Sequence, residues 1–232
     1  MLRVIVLYDG AHFIRGRTYF RHYMGQGWID LSELHRFLST EAANRIGTSP
    51  KLTKIVQAHF YDGRASTRAV NGRSLEKERR FEMELLKTGI VPHYLPLIEK
   101  AKPATHPGDQ AYELSQKGVD VALAVDAVRF ACEDRCDACV LVAGDGDFAP
   151  LARVLSGLGK PTMVAHFSYP EWIDGRGIKH GRMYASTELL EAATWSLDLV
   201  AAANDPNLGE KIASLFSKPN GDGLVRRTGS VA

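Results

Sequence analysis

A single three-layer α/β domain built on a mainly parallel sheet of about five strands is the fold this sequence predicts, and three observations carry it. Apolar runs of strand length recur along the chain. The segments between them are long enough to hold helices and carry helix boundary signals. At 232 residues, 45% hydrophobic and 24% charged, the chain supports one sizeable core and does not make two domains the default.

The predicted strands are Val4–Tyr8, Lys54–Tyr61, Ile90–Leu95, Cys139–Ala143 and Pro161–His166. The predicted helices are Leu31–Asn44, capped by Asp30 or Ser32, and Ser74–Lys87, capped by Ser74. Val119–Glu133, Phe148–Leu158 and Thr187–Ala203 follow, with Gly159 closing the second of these in a left-handed turn. A short edge strand fits Gly181–Ala185. Lys100–Gly108, rich in proline and small residues, reads as a surface loop, and Ser217–Ala232, where apolar periodicity is lost, as a frayed tail. The expected organisation is a domain over 1–185, C-terminal helices over 186–216 packed on it, and a flexible tail over 217–232.

Composition removes several function classes. The opening MLRVIVLYDG reads as a first strand and not as a secretory signal, and no apolar stretch approaches the roughly 20 residues of a membrane-spanning helix. Cys132, Cys136 and Cys139 form C-x3-C-x2-C, a spacing that also binds iron–sulfur clusters. Here Cys132 falls in a helical pattern and Cys139 in a strand, so a structural role is expected. The odd count favours a reducing compartment, and the expected location is cytoplasmic.

The formal charge of +2 permits contact with phosphates without demanding it. Basic residues thicken from Arg64 to Arg80, while several acids stand at the ends of apolar runs. In a parallel α/β sheet ligands bind beyond the carboxyl ends of the strands, and that rule selects Asp9, Asp145 and Asp147. Asp120 opens the strongest predicted helix, and the long connection from Leu95 to Lys117 lets that helix begin near the same crevice. The four acids are therefore expected in one pocket. Asp126 points elsewhere, about 240° further around its helix. Carboxylates brought together repel one another unless a cation intervenes, and oxygen donors without a His or Cys cluster favour Mg²⁺ or Mn²⁺. Each acid also has a plainer reading: Asp147 as a helix cap and Asp120 as a stabiliser of a helix N-terminus.

Three segments carry a family resemblance: Tyr8-Asp9-Gly10-Ala11-His12, Gln116-Lys117-Gly118-Val119-Asp120-Val121 and Gly144-Asp145-Gly146-Asp147-Phe148. They resemble the motifs of the NYN domain family, including its LabA-like members, over about residues 1–185. The resemblance implies a PIN-like, Rossmann-like fold and metal-dependent cleavage of RNA. Its acidic cluster falls on Asp9, Asp120, Asp145 and Asp147, as metal ligands and catalytic groups, with Mg²⁺ or Mn²⁺ as cofactor. His12, Lys117, Arg15 and Arg17 are the expected substrate contacts, together with the Arg64–Arg80 segment. RNA is the implied partner; a homo-oligomer stays open, and no membrane contact is expected.

Two departures stand out: His12 where the family usually has Asn, and Ala143 where it often has Ser. The competing readings are a module that binds RNA or protein without cutting, and a haloacid-dehalogenase-like phosphatase. The phosphatase fails at the first strand, where Ala11 occupies the position of its second acid.

Overall fold

The structure, a computed structural model, describes residues 1–64, 72–101, 112–115 and 117–216. Strand β1 (Leu2–Asp9) runs into helix α1 (Gly10–His22), and α2 (Leu31–Ile46) follows. Then come β2 (Thr53–Arg64), α3 (Gly72–Lys87) and β3 (Ile90–Pro96). A small antiparallel ribbon, β4 (Ile98–Ala101) with β5 (Tyr112–Ser115), leads to α4 (Val119–Cys132). Next are β6 (Ala138–Val142), α5 (Ala149–Gly157), β7 (Thr162–His166) and the two-residue strands β8 (Trp172–Ile173) and β9 (Lys179–His180). The chain continues through α6 (Thr187–Ala192), β10 (Trp195–Asp198), α7 (Leu199–Asn204) and α8 (Gly209–Ala213).

Six strands form the central sheet in the order β3-β2-β1-β6-β7-β10, and every neighbouring pair is parallel. Counted among themselves these strands run 3-2-1-4-5-6, the order of doubly wound sheets, which reverses between β1 and β6. β1 lies in the middle, and its sequence explains why. Val4, Val6 and Tyr8 enter one core with Phe13, Phe20, Leu34 and Leu38 from α1 and α2. Ile5 and Leu7 enter the other with Leu123, Ala127 and Leu155 from α4 and α5. A strand apolar on both faces has to be covered on both, which requires three layers.

The helix boundaries follow from local chemistry. Asp30 caps α2 by accepting from the Ser32 and Glu33 amides at 2.8 and 3.1 Å. Gly159 holds φ at +72° just past α5, as expected. Helix α3 opens at Gly72, two residues ahead of the start expected at Ser74.

Helix α1 carries no clear apolar stripe, and the sequence reading leaves it out. Its inward face includes Gly16 and Arg17, which dilute the periodicity. Both are there for contact. A Cβ at Gly16 would lie 2.3 Å from the Phe167 ring, so only glycine lets α1 sit this close to the end of β7.

Other expectations are corrected by tertiary pairing. The single helix predicted over Thr187–Ala203 is instead α6, β10 and α7. Trp195–Asp198 pairs with Met163–His166 of β7, and Asp198 then caps α7 through the Val200 and Ala201 amides. Residues 186–216 thus supply the sixth strand as well as helices. Within Gly181–Ala185, Met183 makes only an isolated antiparallel bridge to Tyr169. Lys100 and Ala101, expected in a loop, belong to β4. The rest of that loop, Arg68, Gln116 and the tail from Ser217 lie outside the described residues.

Cys136 and Cys139 are buried and Cys132 is exposed, all three as free thiols. Burial pushes the Cys136 and Cys139 thiols up, so both behave as small apolar core residues. No helix among the described residues is long and apolar enough to cross a membrane.

Candidate functional site

The reversal of strand order between β1 and β6 opens a crevice at their carboxyl ends, and the acids border it. Asp9 is the last residue of β1 and caps α1, accepting from the His12 amide at 3.3 Å. Asp145 follows β6 and caps a 3₁₀ turn over Gly146–Phe148, accepting from the Asp147 amide at 3.1 Å. The capping role thus falls to Asp145 and leaves the Asp147 carboxylate exposed in the first turn. Asp120 projects from the first turn of α4, preceded by Gly118 at φ +81°.

Electrostatics connects these groups. Burial first, then the charges of Asp120 and Asp62, push the Asp9 carboxyl up to about 6, against the opposing pull of the His12 and Ala11 amides. Asp120 is raised by burial and then by Asp145 and Asp147. Asp120 is therefore the hub, sensed by Asp9 on one side and sensing the Asp145–Asp147 pair on the other. Among the described residues no hydrogen bond or ion pair reaches the Asp120 or Asp147 carboxylate.

Asp62 is an acid that sequence reasoning misses. It follows Tyr61, which is in register with Asp9, and its charge reaches Asp9. The signal is a repeat: Tyr8-Asp9-Gly10 ends β1, and Tyr61-Asp62-Gly63 stands near the end of β2.

The expected substrate contacts divide sharply. Arg15 and Lys117 are exposed, Arg15 in α1 and Lys117 just ahead of α4. Arg17 is buried, and this corrects its assignment to RNA. Its guanidinium lies 4.7 Å from the Trp28 ring and 4.6 Å from the Phe81 ring, and pairs with Glu84 at 3.3 Å. Burial lowers its pKa, and its head group is already engaged by Glu84 and those rings. Arg64, at the start of the basic segment, is likewise engaged, with Glu82 at 2.7 Å and the Tyr94 ring at 3.7 Å.

His12 is buried as well. Its Nε2 accepts from the Phe167 amide at 3.2 Å, and burial, then His166 and Arg15, push its pKa down to about 3. The ring is neutral and joins α1 to the end of β7. A Cβ at Gly144 would fall 2.5 Å from its Cε1, so the glycine before Asp145 makes room for it. Asp126, left out of the expected metal set, accepts from Tyr61 Oη at 2.9 Å and from Arg129 at 2.7 Å.

A model of the NYN domain matches residues 3–174, which include Asp9, Asp120, Asp145 and Asp147. The chain belongs to the NYN domain family. NYN domains are nuclease-like, with a PIN-like fold that this doubly wound sheet is compatible with. No curated protein matches the chain. Among solved structures, a Vibrio parahaemolyticus protein of unknown function is 19% identical with a TM-score of 0.50, over 85% of this chain and 92% of that one. Its likeness concerns the fold alone. Acinetobacter baumannii MurG matches at 12% identity and a TM-score of 0.34, over 84% of this chain and 40% of that one, too distant to carry an argument.

Nucleases of the NYN and PIN-like kind generally use divalent metals. The donors bordering this NYN crevice are carboxylate oxygens, the ligands hard cations prefer, and the raised pKa of Asp9 and Asp120 reflects in part the repulsion a cation relieves. Among the described residues no three His, Cys, Asp or Glu side chains stand close enough to hold a metal ion. Donor chemistry fits a hard cation; close convergence of ligands is not seen.

Proposed function

We propose that this NYN domain is a metal-dependent ribonuclease that hydrolyses RNA phosphodiester bonds. The observation that carries the reading is the placement of acids around the strand-order reversal: Asp9 beyond β1, Asp145 and Asp147 beyond β6, and Asp120 electrostatically between them. Asp9, Asp120, Asp145 and Asp147 would hold Mg²⁺ or Mn²⁺. A bound divalent cation supplies charge neutralisation at phosphate and makes water more acidic. The protein's own residues do the remaining work. Asp9 and Asp145 are fixed as helix caps, so their carboxylates are held in place before substrate arrives. Arg15 and Lys117, both exposed, would offer cations to the RNA backbone.

A second reading, an RNA-binding module that does not cut, is favoured by one observation: no tight ligand cluster stands among the described residues. Against it, a pure phosphate binder gains nothing from a negative crevice.

The test separates the two. Asp9→Asn and Asp145→Asn should each abolish Mn²⁺-dependent cleavage of single-stranded RNA while leaving RNA binding at fixed salt similar or tighter, since these charges repel phosphate when no metal is present. Full cleavage by the double variant Asp9→Asn, Asp145→Asn overturns the nuclease mechanism. Absence of cleavage in wild type with Mg²⁺ and Mn²⁺ favours the binding module.

A further inference from the structure

We propose that the cavity between α1 and the β8–β9 ribbon is a nucleotide subsite taking one unstacked base of single-stranded RNA and the phosphate beside it. This deepens the nuclease reading and rests on its choice of RNA.

The cavity measures about 260 Å³. That is just under the roughly 300–1,000 Å³ of sites for drug-sized ligands, which suits one base and not two. Its walls are aromatic and already ordered. Tyr169 stacks on Tyr19 at 4.0 Å and 3°, and Trp172 stacks on His180 at 4.0 Å and 9°. Tyr169 and Trp172 are almost wholly buried, so the half-buried His180 ring, held by Trp172, is the one that meets a base, and it loses little freedom in doing so. Trp172 is only 5% exposed, and its Nε1–H finds no acceptor among the described residues.

Two cations border the same cavity. Arg15 and Arg182 are exposed, and neither forms an ion pair among the described residues. Guanidinium groups bind phosphate oxygens in pairs, and aromatic rings stack any base, so together they match a nucleotide. Arg15 stands on α1, the helix that Asp9 caps, so the cavity and the crevice share that helix. A duplex cannot use this site, since its bases are stacked and paired and its grooves do not present a whole base.

The experiment uses the full chain in chelator-containing buffer, with fluorescein-labelled single-stranded oligouridylate and a duplex RNA of equal length, read by anisotropy. Gly181 lines the cavity and a Cβ there meets nothing within 4 Å, so Gly181→Glu adds bulk and negative charge at the cavity wall while the fold tolerates it. Gly181→Glu and Arg182→Ser should each weaken single-strand binding about tenfold. Arg36→Ser, an equal loss of charge at an exposed position of α2, should change it less than about twofold. Wild type should bind the duplex at least about tenfold more weakly than the single strand. Equal binding of the two RNAs, wild-type affinity in Gly181→Glu, or an equal loss in Arg36→Ser overturns the subsite. The nuclease reading fails separately. Loss of binding in Gly181→Glu with no cleavage by wild type in any metal keeps the subsite and removes the enzyme; cleavage that dies in Asp145→Asn while Gly181→Glu binds normally does the reverse.

Discussion

Asp120 and Asp126 stand on the same helix, and their surroundings drive the two carboxyls in opposite directions. Asp120, in the first turn of α4, faces the charges of Asp145 and Asp147, and burial with like charge raises its pKa. Asp126 is also raised by burial, but hydrogen bonds from Tyr61 and Arg129 outweigh that and hold it below the usual carboxylate range. Around Asp126 the polar groups satisfy one another: His59 and His93 share a hydrogen bond of 2.9 Å, and His93 stacks on Tyr61 at 4.5 Å. Around Asp120 they do not. The contrast teaches how to tell an acid that serves the fold from one poised for a ligand: the first has its donors supplied by neighbouring side chains, the second is surrounded by its own charge.

Substituting each acid is the most forceful way to break that comparison. Asp120→Asn should lower cleavage of single-stranded RNA by about 100-fold or more, the scale of several kcal/mol of lost charge stabilisation. Asp126→Asn should leave kcat/KM within a few-fold and lower stability by about 1 kcal/mol through its weakened hydrogen bonds. Equal kinetic losses in the two variants would erase the distinction.

The pH dependence of stability sharpens it. Asp9 has a folded pKa of about 6 against an ordinary 3.8, so the folded state holds its proton more tightly. The resulting penalty is fully present above about pH 6 and gone below about pH 4. Asp9→Asn keeps an acceptor for the α1 cap and should be more stable than wild type at pH 8 in chelator, by on the order of 2 kcal/mol. Urea unfolding should show that difference shrinking to nothing by about pH 4; a difference independent of pH would show that repulsion and burial at Asp9 are not its source.

The histidine flank should give an effect of the opposite sign. Burial, then His93, pushes His59 down to about 4 from 6.5, so the unfolded state takes up its proton first. Stability from this group is complete above about pH 6.5 and is lost as the pH falls to about 4. In His59→Gln, unfolding over that window should take up about one proton fewer, measured from the slope of stability against pH. An unchanged slope would assign the acid sensitivity to other buried histidines such as His35, also pushed down to about 4 by burial.

The sequence makes the strand-end acids legible because an apolar run closing in Asp-Gly has few packing explanations, and β1 and β6 do lead to Asp9 and Asp145. Helical geometry turns Asp126 away from Asp120, and the partners it then meets, Tyr61 and Arg129, are a matter of packing. Arg17 is misread because the rings that enclose it come from α1, the following loop and α3, which sequence spacing does not bring together. The order 3-2-1-4-5-6 is likewise a matter of long-range pairing, with no local signature. β10 hides because four residues between two short helices carry too little pattern to register as a strand. Asp62 was within reach, through the repeated Tyr-Asp-Gly.

The contact between Gly16 and Phe167 bears on how this chain can change over generations. Any side chain at position 16 collides with the Phe167 ring, and α1 cannot retreat without dragging the Asp9 cap and the His12 bond with it. The two positions are therefore ordered in descent: a lineage that gains bulk at 16 has first to shed it at 167, and while Phe167 stands any gain at 16 alone is closed.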